Sequence, residues 1–512
     1  MRHLIIVSIC FACLLFPLKS FSQNRNNVWV FGDSAGIDFN GVAALSISTN
    51  IRSIGSCSSV SDSLGNLQFY IASTTKSNFA QFLAPARIYN KKFKTMQNGD
   101  SIAGDSWYKE FEIIPMPLQN NLYYTIQAGV TNFVPGLFYS VVDMNLNNKK
   151  GAVIQKNIRL EDSTFLCADG LAAIKHGNGR DWWVISRNWE HYTDTFNFYI
   201  ASPDSVTFHH FQKISDNLFS SIYRIEPSND GSKIACCTNK GFLSVFDFDR
   251  CTGMLSNEIN ISHEKSNPLD FIWYWDCELS ANNKYLYVSK VYGLFSNVDT
   301  CNQLLRYDLS APNILASCDT LFTYCALDFA GLIELAPDSK MYWTFIWNDG
   351  VTPNYPFPDS VYNQVNTNLS VINYPDSSFC DFQPFSFYLG GKRTYNGLPN
   401  NPNYELGPLV GSPCDTLSAN LTPALSKGEG VMQITYISAW EKLFVNASGL
   451  KGKSVTVSIY DGRGSLKFEV QSLKSNAGYF TLDVDCIGWS DGLYVVHLQT
   501  EKEVLSKKFV KE

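Results

Sequence analysis

The sequence predicts an all-β protein, on the basis of its composition and of two patterns along the chain. Aromatic residues make up 14% of the 512 residues, and aromatic and β-branched side chains favour strands. No helical apolar period persists over several turns, so long helices are not expected. Short apolar segments instead alternate with turns rich in Asn, Asp, Ser and Gly, which is typical of strands joined by tight connections.

A strand–turn–strand unit recurs along the chain. The clearest copies are IEPSNDGSKIACCTN at 225–239, ELSANNKYLYVSK at 278–290 and ELAPDSKMYWTFIW at 334–347. Weaker copies lie at 61–72, 117–128 and 175–187, and the six turns recur every 51 to 60 residues. This period fits the four-stranded blades of a β-propeller. We favour seven blades, with six or eight also compatible, and expect residues 373–405 and 27–33 to build the seventh blade together.

The composition changes at residues 396–430, which are rich in Pro, Gly and Asn. Such a stretch is typical of an extended segment followed by a linker. We expect a propeller at 23–410, a linker at 411–430 and a second domain at 431–512. About seven short alternating segments in the last range predict a small β-sandwich.

Residues 1–22 are expected to form a secretory signal peptide, in which a basic start precedes an apolar run. The run is too short to cross a membrane, and no later one is longer. The peptide contains two of the 40 basic and none of the 47 acidic residues, so the mature chain has 38 against 47, a net charge of −9. Nucleic acid is therefore not an expected partner, because binding it needs a basic surface.

Twelve of the 14 cysteines follow residue 22. An exported chain of this kind is expected to form some disulfides, whose pairing the sequence leaves open. None of these twelve has the spacing of a zinc site. We predict no metal and no cofactor.

Four segments near the C terminus have a recognisable order and spacing: KLFVNASGLKG, VSIYDGRGSLKF, LDVDCIGWSDGLYVV and KKFVKE. They resemble the C-terminal sorting domain, type A-like, of proteins exported by the type IX secretion system of Bacteroidetes. The resemblance implies an Ig-like β-sandwich that the outer-membrane export machinery reads and usually removes, as the cargo is released or attached to the cell surface. The matching positions are Asp461, Gly462, Arg463 and Gly464 of a hairpin turn, Gly492 and Tyr494 of a Gly-x-Tyr strand, and Lys508, Phe509, Val510 and Lys511 of the last strand. Ser465 departs from the family, which often has Arg or Lys there.

The first 410 residues resemble the propeller found in many such exported proteins. The phrases that match include VWVFGDSAGIDFN and LPNNPNYELGPLVGSPCDT. That propeller family has no assigned chemistry. The resemblance therefore implies export and a fold, and it leaves the activity open.

Two candidate sites for catalysis or metal binding are weak. Ser34 lies in a G-x-S-x-G match, but the sequence after Gly36 has no helical period, whereas a nucleophile elbow needs a helix there. His209 and His210 are adjacent in a strand-like segment, so we expect them to point to opposite faces. We predict no catalytic residue.

The aromatic cluster LDFIWYWDCE is the strongest candidate for ligand binding. Trp273 and Trp275, flanked by Asp270 and Asp276, would share one strand face, where the rings could stack on sugars or anchor a protein. The alternative is that these aromatics fill the space between blades.

Two functions remain open from the sequence. We favour an exported or cell-surface propeller, delivered by the type IX machinery, that binds a protein or glycan without catalysis. The alternative is a secreted hydrolase or lyase with its site at the central channel. The fold alone cannot choose, because propellers serve many functions.

Overall fold

The structure of the chain is a computed structural model, which describes residues 24–53, 55–73, 85–104, 109–129, 135–161, 167, 169–188, 193–216, 223–263, 272–292, 301–325, 328–347, 361–415, 431–437, 441–448, 454–461, 465–474, 480–490, 492–500 and 504–511. The expected signal peptide lies outside these residues, as does 416–430 of the expected linker. The described residues divide into two units, residues 24–175 with 181–406, and residues 176–180 with 407–511.

Seven antiparallel sheets follow one another within the described part of the first unit. The first two have three strands each: β1 Val28–Phe31, β2 Asp33–Asp38 and β3 Leu45–Arg52, then β4 Cys57–Ser61, β5 Leu67–Ser73 and β6 Ala86–Asn90. The third is β7 Phe111–Pro115, β8 Leu122–Gly129, β9 Gly136–Asp143 and β10 Ala152–Arg159. The fourth is β11 Ala172–Lys175, β12 Trp182–Asn188, β13 Thr193–Ala201 and β14 Val206–Asp216.

The remaining three sheets have the same sequential order. The fifth is β15 Tyr223–Pro227, β16 Lys233–Thr238, β17 Phe242–Phe248 and β18 Leu255–His263. The sixth is β19 Ile272–Leu279, β20 Tyr285–Tyr292, β21 Cys301–Asp308 and β22 Asp319–Cys325. The seventh is β23 Asp328–Leu335, β24 Met341–Trp347, β25 Asn368–Ile372 and β26 Phe382–Tyr388. The described helical segments are short: α1 Leu146–Lys149, α2 Gln364–Thr367 and a 3-10 turn at Leu315–Ser317. The prediction of an all-β protein is confirmed.

The six turns recognised in the sequence all join the first and second strands of a sheet. In the fifth sheet Ser228 Oγ accepts a hydrogen bond from the Lys233 amide at 2.9 Å, and in the sixth Ser280 Oγ accepts one from the Tyr285 amide at 2.9 Å. A serine that holds the two ends of a turn in this way favours a tight connection. The repeat in the sequence is therefore a repeat of this hairpin.

The sheets pack against one another in chain order, and the seventh packs against the first. The first strand of each sheet contacts the first strand of the next. Trp29 of β1 and Tyr342 of β24 lie edge to face with ring centroids 6.0 Å apart, in a buried cluster shared by the two sheets. The arrangement is propeller-like, with the seven first strands innermost.

The predicted pairing of residues 27–33 with 373–405 in one blade is wrong. Strand β1 belongs to the first sheet and β26 to the seventh. The two segments meet instead at Arg393, whose carbonyl accepts a hydrogen bond from the Asp33 amide at 2.9 Å. The buried Arg393 guanidinium also lies 2.9 Å from Asp33 Oδ2. A main-chain bridge and an ion pair therefore join the beginning and the end of the first unit in place of a shared strand.

Residues 396–404, here called the channel segment, contact all seven sheets. The contacts are hydrogen bonds to residues in, or within two residues of, the first strand of each sheet. These partners are Asn26, Ser58, Phe111, Leu171, Asn229, Trp275 and Leu332. The segment forms neither helix nor strand, and its amide side chains supply most of the contacts.

Asn400 shows how the channel segment joins neighbouring sheets. Its side-chain Nδ2 donates to the carbonyls of Phe111 at 3.2 Å and Leu171 at 2.8 Å, and its main-chain amide donates to the carbonyl of Cys57 at 2.9 Å. One buried residue therefore satisfies carbonyls near the first strands of three sheets.

The second unit contains two antiparallel sheets in its described part. One is formed by β27 Val431–Ile437, β28 Lys442–Ser448 and β31 Phe480–Asp485; the other by β29 Ser454–Asp461, β30 Leu466–Lys474, β32 Gly492–Thr500 and β33 Val504–Lys511. Both contribute to one buried core, which includes Leu443, Val457, Val484 and Val496.

Cys301 and Cys325, on the paired outer strands β21 and β22, form a disulfide. The expectation of disulfides is therefore confirmed. No helix among the described residues has the length and apolarity needed to span a membrane.

We expect Gly397→Ala to destabilise the first unit, because a Cβ there would lie 1.8 Å from the main-chain oxygen of Gly55. Overpacking against main chain costs about 1–3 kcal/mol or more. The free energy of unfolding, measured by urea denaturation of the mature chain, checks this. Gly407→Ala is the control, since nothing lies within 4 Å of its added Cβ. Equal stability of the two variants would contradict the described path of the channel segment.

Candidate functional site

Three glutamates from three sheets converge at the channel. Glu226, Glu278 and Glu334 are each the next-to-last residue of a first strand, in β15, β19 and β23. One carboxylate oxygen of each lies within 4.8 Å of the other two, and all three side chains are buried. The repeat therefore places the same residue type at the same point of consecutive sheets.

Lys109 and Glu112, from the third sheet and the residues before it, complete the cluster. Lys109 is 1% exposed; its ammonium pairs with Glu226 and lies 3.2 Å from Glu334 Oε2. Glu112 is 2% exposed, and its Oε2 has no hydrogen-bond partner among the described residues. A buried carboxylate oxygen without a partner is costly, so it calls for a ligand or a proton.

The carboxylates also stabilise the inner strands. Glu278 Oε2 accepts a hydrogen bond from the Leu335 amide at 3.2 Å, and Asp276 Oδ2 accepts one from the Ile333 amide at 2.8 Å. Glu112 accepts one from the Ala173 amide in the same way. The first strand of each sheet of the first unit has an unpaired edge, and these side chains satisfy its amides.

The cluster has an excess of acidic groups. Five buried carboxyl groups, those of Glu112, Glu226, Asp276, Glu278 and Glu334, lie near the buried Lys109 and Arg224. Burial raises the pKa of Glu112, Glu278 and Glu334 well above the usual value. Burial lowers the pKa of Lys109, but the surrounding carboxylates raise it by more than burial lowers it. The pKa of Lys109 therefore lies above the usual value, and the group is charged.

A cavity of about 380 Å³ lies between the cluster and the channel segment. The four glutamates Glu112, Glu226, Glu278 and Glu334 line it on one side. Seven asparagines also line it: Asn24, Asn26, Asn27, Asn229, Asn400, Asn401 and Asn403. Asn229 and Glu405 are exposed at its rim. The cavity is therefore lined by many polar groups, and its four glutamates from the carboxylate cluster are buried.

The sequence analysis did not single out these glutamates. Glu226, Glu278 and Glu334 lie within, or at the first residue of, the three clearest copies of the repeat, and their spacing of 52 and 56 residues follows the repeat period. An acid at the same position of three copies was the available signal. Lys109 and Glu112 gave none, because they lie outside those copies and meet the others only through the tertiary structure.

The structure places the predicted tryptophan site in the core. Trp275 is 1% exposed and donates from Nε1 to Asn396 Oδ1 at 3.1 Å, while Trp273 stacks on it with centroids 5.4 Å apart. Asp276 is fully buried, and Asp270 lies outside the described residues. Their packing agrees with the alternative that these aromatics fill the space between neighbouring sheets. Ligand binding by them stays a prediction.

The two weaker candidates can be placed as well. Ser34 lies in strand β2, which pairs with β1 and β3, so the chain after it continues as a strand and not as a helix. The expectation that His209 and His210 point to opposite faces is wrong, because their Nδ1 atoms lie 2.8 Å apart. A β-bulge explains it: Phe198 pairs with His210 and Tyr199 with Phe208, which leaves His209 unpaired.

The sorting-domain positions fall in the second unit. Asp461 ends β29 and its Oδ1 accepts the Ser465 amide at 2.9 Å, which fits the predicted hairpin, although Gly462, Arg463 and Gly464 lie outside the described residues. Gly492 begins β32, and Tyr494 stacks on Phe509 of β33 with centroids 5.3 Å apart.

The last strand, which contains Lys508 and Val510, is fixed at its end by a lysine. Lys511 is 5% exposed, and its Nζ donates to Glu441 Oε1 at 3.0 Å and to the Trp489 carbonyl at 2.9 Å. The C-terminal strand is therefore held by side-chain contacts as well as by its pairing with β32.

Residues 439–512 match the family Por_Secre_tail, the secretion system C-terminal sorting domain. The match confirms the predicted sorting domain and supports delivery by the type IX secretion system to the cell surface or outside. No curated protein matches the chain significantly.

Solved structures similar to the chain have low sequence identity. A putative 6-phosphogluconolactonase from Bacteroides uniformis is 11% identical, covering 72% of this chain and 97% of its own, with a TM-score of 0.42. A putative 6-phosphogluconolactonase from Bacteroides fragilis is 10% identical, covering 73% and 96%, with a TM-score of 0.43. The Swd1 β-propeller domain of Myceliophteria thermophila is 9% identical, covering 63% and 93%, with a TM-score of 0.36.

We expect Lys109→Met to destabilise the first unit by about 3–5 kcal/mol, because it leaves the buried carboxylates of Glu226 and Glu334 without their cation. Lys156→Met is the control: its exposed pair with Asp100, at 3.4 Å, should contribute below about 1 kcal/mol. Thermal and urea unfolding of both variants measure the difference. A Lys109 variant as stable as the Lys156 variant would show that the lysine does not hold the cluster together.

Proposed function

We propose that this chain is an exported protein of the Bacteroidetes type, in which a seven-bladed β-propeller at 23–410 binds a glycan and a type A-like, Ig-like sorting domain at 431–512 delivers it. Residues 1–22 direct it to the periplasm, and 411–430 link the two domains. After export it is secreted or held on the outer cell surface. Binding of a protein partner is the other form of the same proposal.

Export is supported by the family match at 439–512 and by the ordered C-terminal strand. Tyr494 and Phe509 stack in the core of the second unit, and Lys511 is buried beside Glu441. A signal that machinery reads as a folded domain needs such a fixed last strand, because a frayed strand presents no constant surface.

Glycan binding is supported by one observation, the amide-lined cavity of about 380 Å³. This volume lies in the range of small-ligand sites, roughly 300–1,000 Å³. Amide side chains both donate and accept, as sugar hydroxyl groups require, and the carboxylates add acceptors. A cavity this small suits one or two sugar rings better than it suits a protein segment.

We expect Phe509→Asp to trap the protein inside the cell envelope, because a charge in the core of the second unit unfolds the domain that the machinery reads. Deletion of residues 431–512 should have the same effect. Leu466→Asp is the matched control, since Leu466 is 50% exposed in the same domain and should tolerate the charge. Cell fractionation followed by immunoblotting gives the distribution. Normal appearance of the deletion variant outside the cell would refute the export proposal.

We expect the mature chain to bind particular glycans on an array, and Asn229→Ala to weaken that binding about tenfold by removing an amide at the rim, as loss of one hydrogen bond to a ligand costs about 1 kcal/mol or more. Asn260→Ala, on the outer strand β18, should bind as the unchanged protein does.

The outcomes of this experiment separate the candidate functions. Binding to no glycan, with capture of a specific surface protein, would replace the glycan by a protein partner. Release of new reducing ends or unsaturated sugars, abolished in Glu226→Gln, would establish the hydrolase or lyase alternative. That alternative is favoured by one observation, the convergence of three carboxylates on the cavity.

A further inference from the structure

We propose that Glu226, Glu278 and Glu334 bind a divalent metal ion, calcium, in the depth of the channel cavity. The inference goes beyond ligand binding at the rim and does not depend on it. Two independent observations carry it: the geometry of the three carboxylates, and the unpartnered oxygen of a fourth carboxylate beside them.

The three carboxylates lie close enough together to share one ion after small shifts of their side chains. The three ligand oxygens lie within 4.8 Å of one another. Oxygens at this spacing need less movement to reach calcium, which binds at 2.3–2.6 Å, than to reach magnesium, which binds at 2.0–2.1 Å. Ligands on three separate first strands also allow the flexible, oxygen-only coordination that calcium accepts.

The hydrogen bonds already present leave the carboxylates able to coordinate. Glu278 accepts main-chain amides at both oxygens, from Leu279 at 2.9 Å and Leu335 at 3.2 Å, yet each carboxylate oxygen has two lone pairs. These amides orient the carboxylate, which is how ligand groups are positioned in metal sites.

Charge gives the second argument. Five buried carboxyl groups face one lysine and one arginine, so the acidic groups of the cluster outnumber the basic ones by three. Glu112 lines the same cavity and is only 2% exposed. Its Oε2 has no hydrogen-bond partner among the described residues. A divalent ion reduces this excess directly, and the cavity connects it to solvent at Asn229 and Glu405.

The position of Lys109 predicts how its substitution changes calcium affinity. Its ammonium pairs with two of the three proposed ligands, Glu226 and Glu334, and so competes with the ion. Removing its charge should therefore increase calcium affinity, while removing a ligand charge should decrease it. A purely structural cluster would change stability in both variants and calcium affinity in neither.

The experiment is calorimetric titration of the metal-depleted mature chain with calcium, and separately with magnesium. We expect binding of one calcium ion, with magnesium binding at least tenfold weaker. Glu334→Gln should lower calcium affinity at least tenfold, Lys109→Met should raise it, and Glu405→Gln, at the exposed rim of the same cavity, should change it less than twofold. Absence of calcium binding to the folded unchanged chain would overturn the proposal, as would equal affinity in Glu334→Gln.

A measurement on the unchanged protein tests the proposal even if the variants fail to fold. Crystals soaked in calcium, examined by anomalous scattering, should show a peak between the carboxylates of Glu226, Glu278 and Glu334. A peak only elsewhere, or none at a concentration that saturates binding in solution, would overturn the proposal whatever the variants do. Loss of glycan binding in Asn229→Ala would leave this result unchanged, so the two proposals fail separately.

Discussion

The first unit depends on how the unpaired edges of its first strands are satisfied. Each first strand pairs with a neighbour on one side only, and its free amides and carbonyls face the channel. Buried acids supply acceptors, as Asp276 does for the Ile333 amide. The channel segment supplies donors, as Asn400 does for Phe111 and Leu171. The need to pair every buried main-chain group thus fixes both the acids and the segment.

This solution concentrates negative charge at the centre of the unit. Lys109 and Arg224 offset part of it, and burial raises the pKa of the remaining glutamates. The same groups line a cavity of about 380 Å³. A structural requirement of the fold has therefore produced a polar, acidic site of a size that suits a small ligand.

The sorting-domain match and the candidate site lie in different units of the chain. The sorting-domain match covers 439–512 only, and the last strand is fixed within its own unit by the Tyr494–Phe509 stack and by Lys511. The carboxylate cluster and the cavity lie within the first unit. The sequences of the sorting domain and of the candidate site can consequently change independently, as expected of domains that fold around separate cores.

The sequence by itself determined the all-β class, the six recurring hairpins and the sorting domain. Each of these depends on residues close together in the chain: alternating apolar residues, turn residues and contiguous motifs. The tertiary structure decided the rest. Lys109 lies 117 residues from Glu226, and Asn400 lies 289 residues from Phe111, so no local pattern could pair them. Closure through Asp33 and Arg393, and the bulge that turns His209 beside His210, depend on strand register, which only the packed sheets fix.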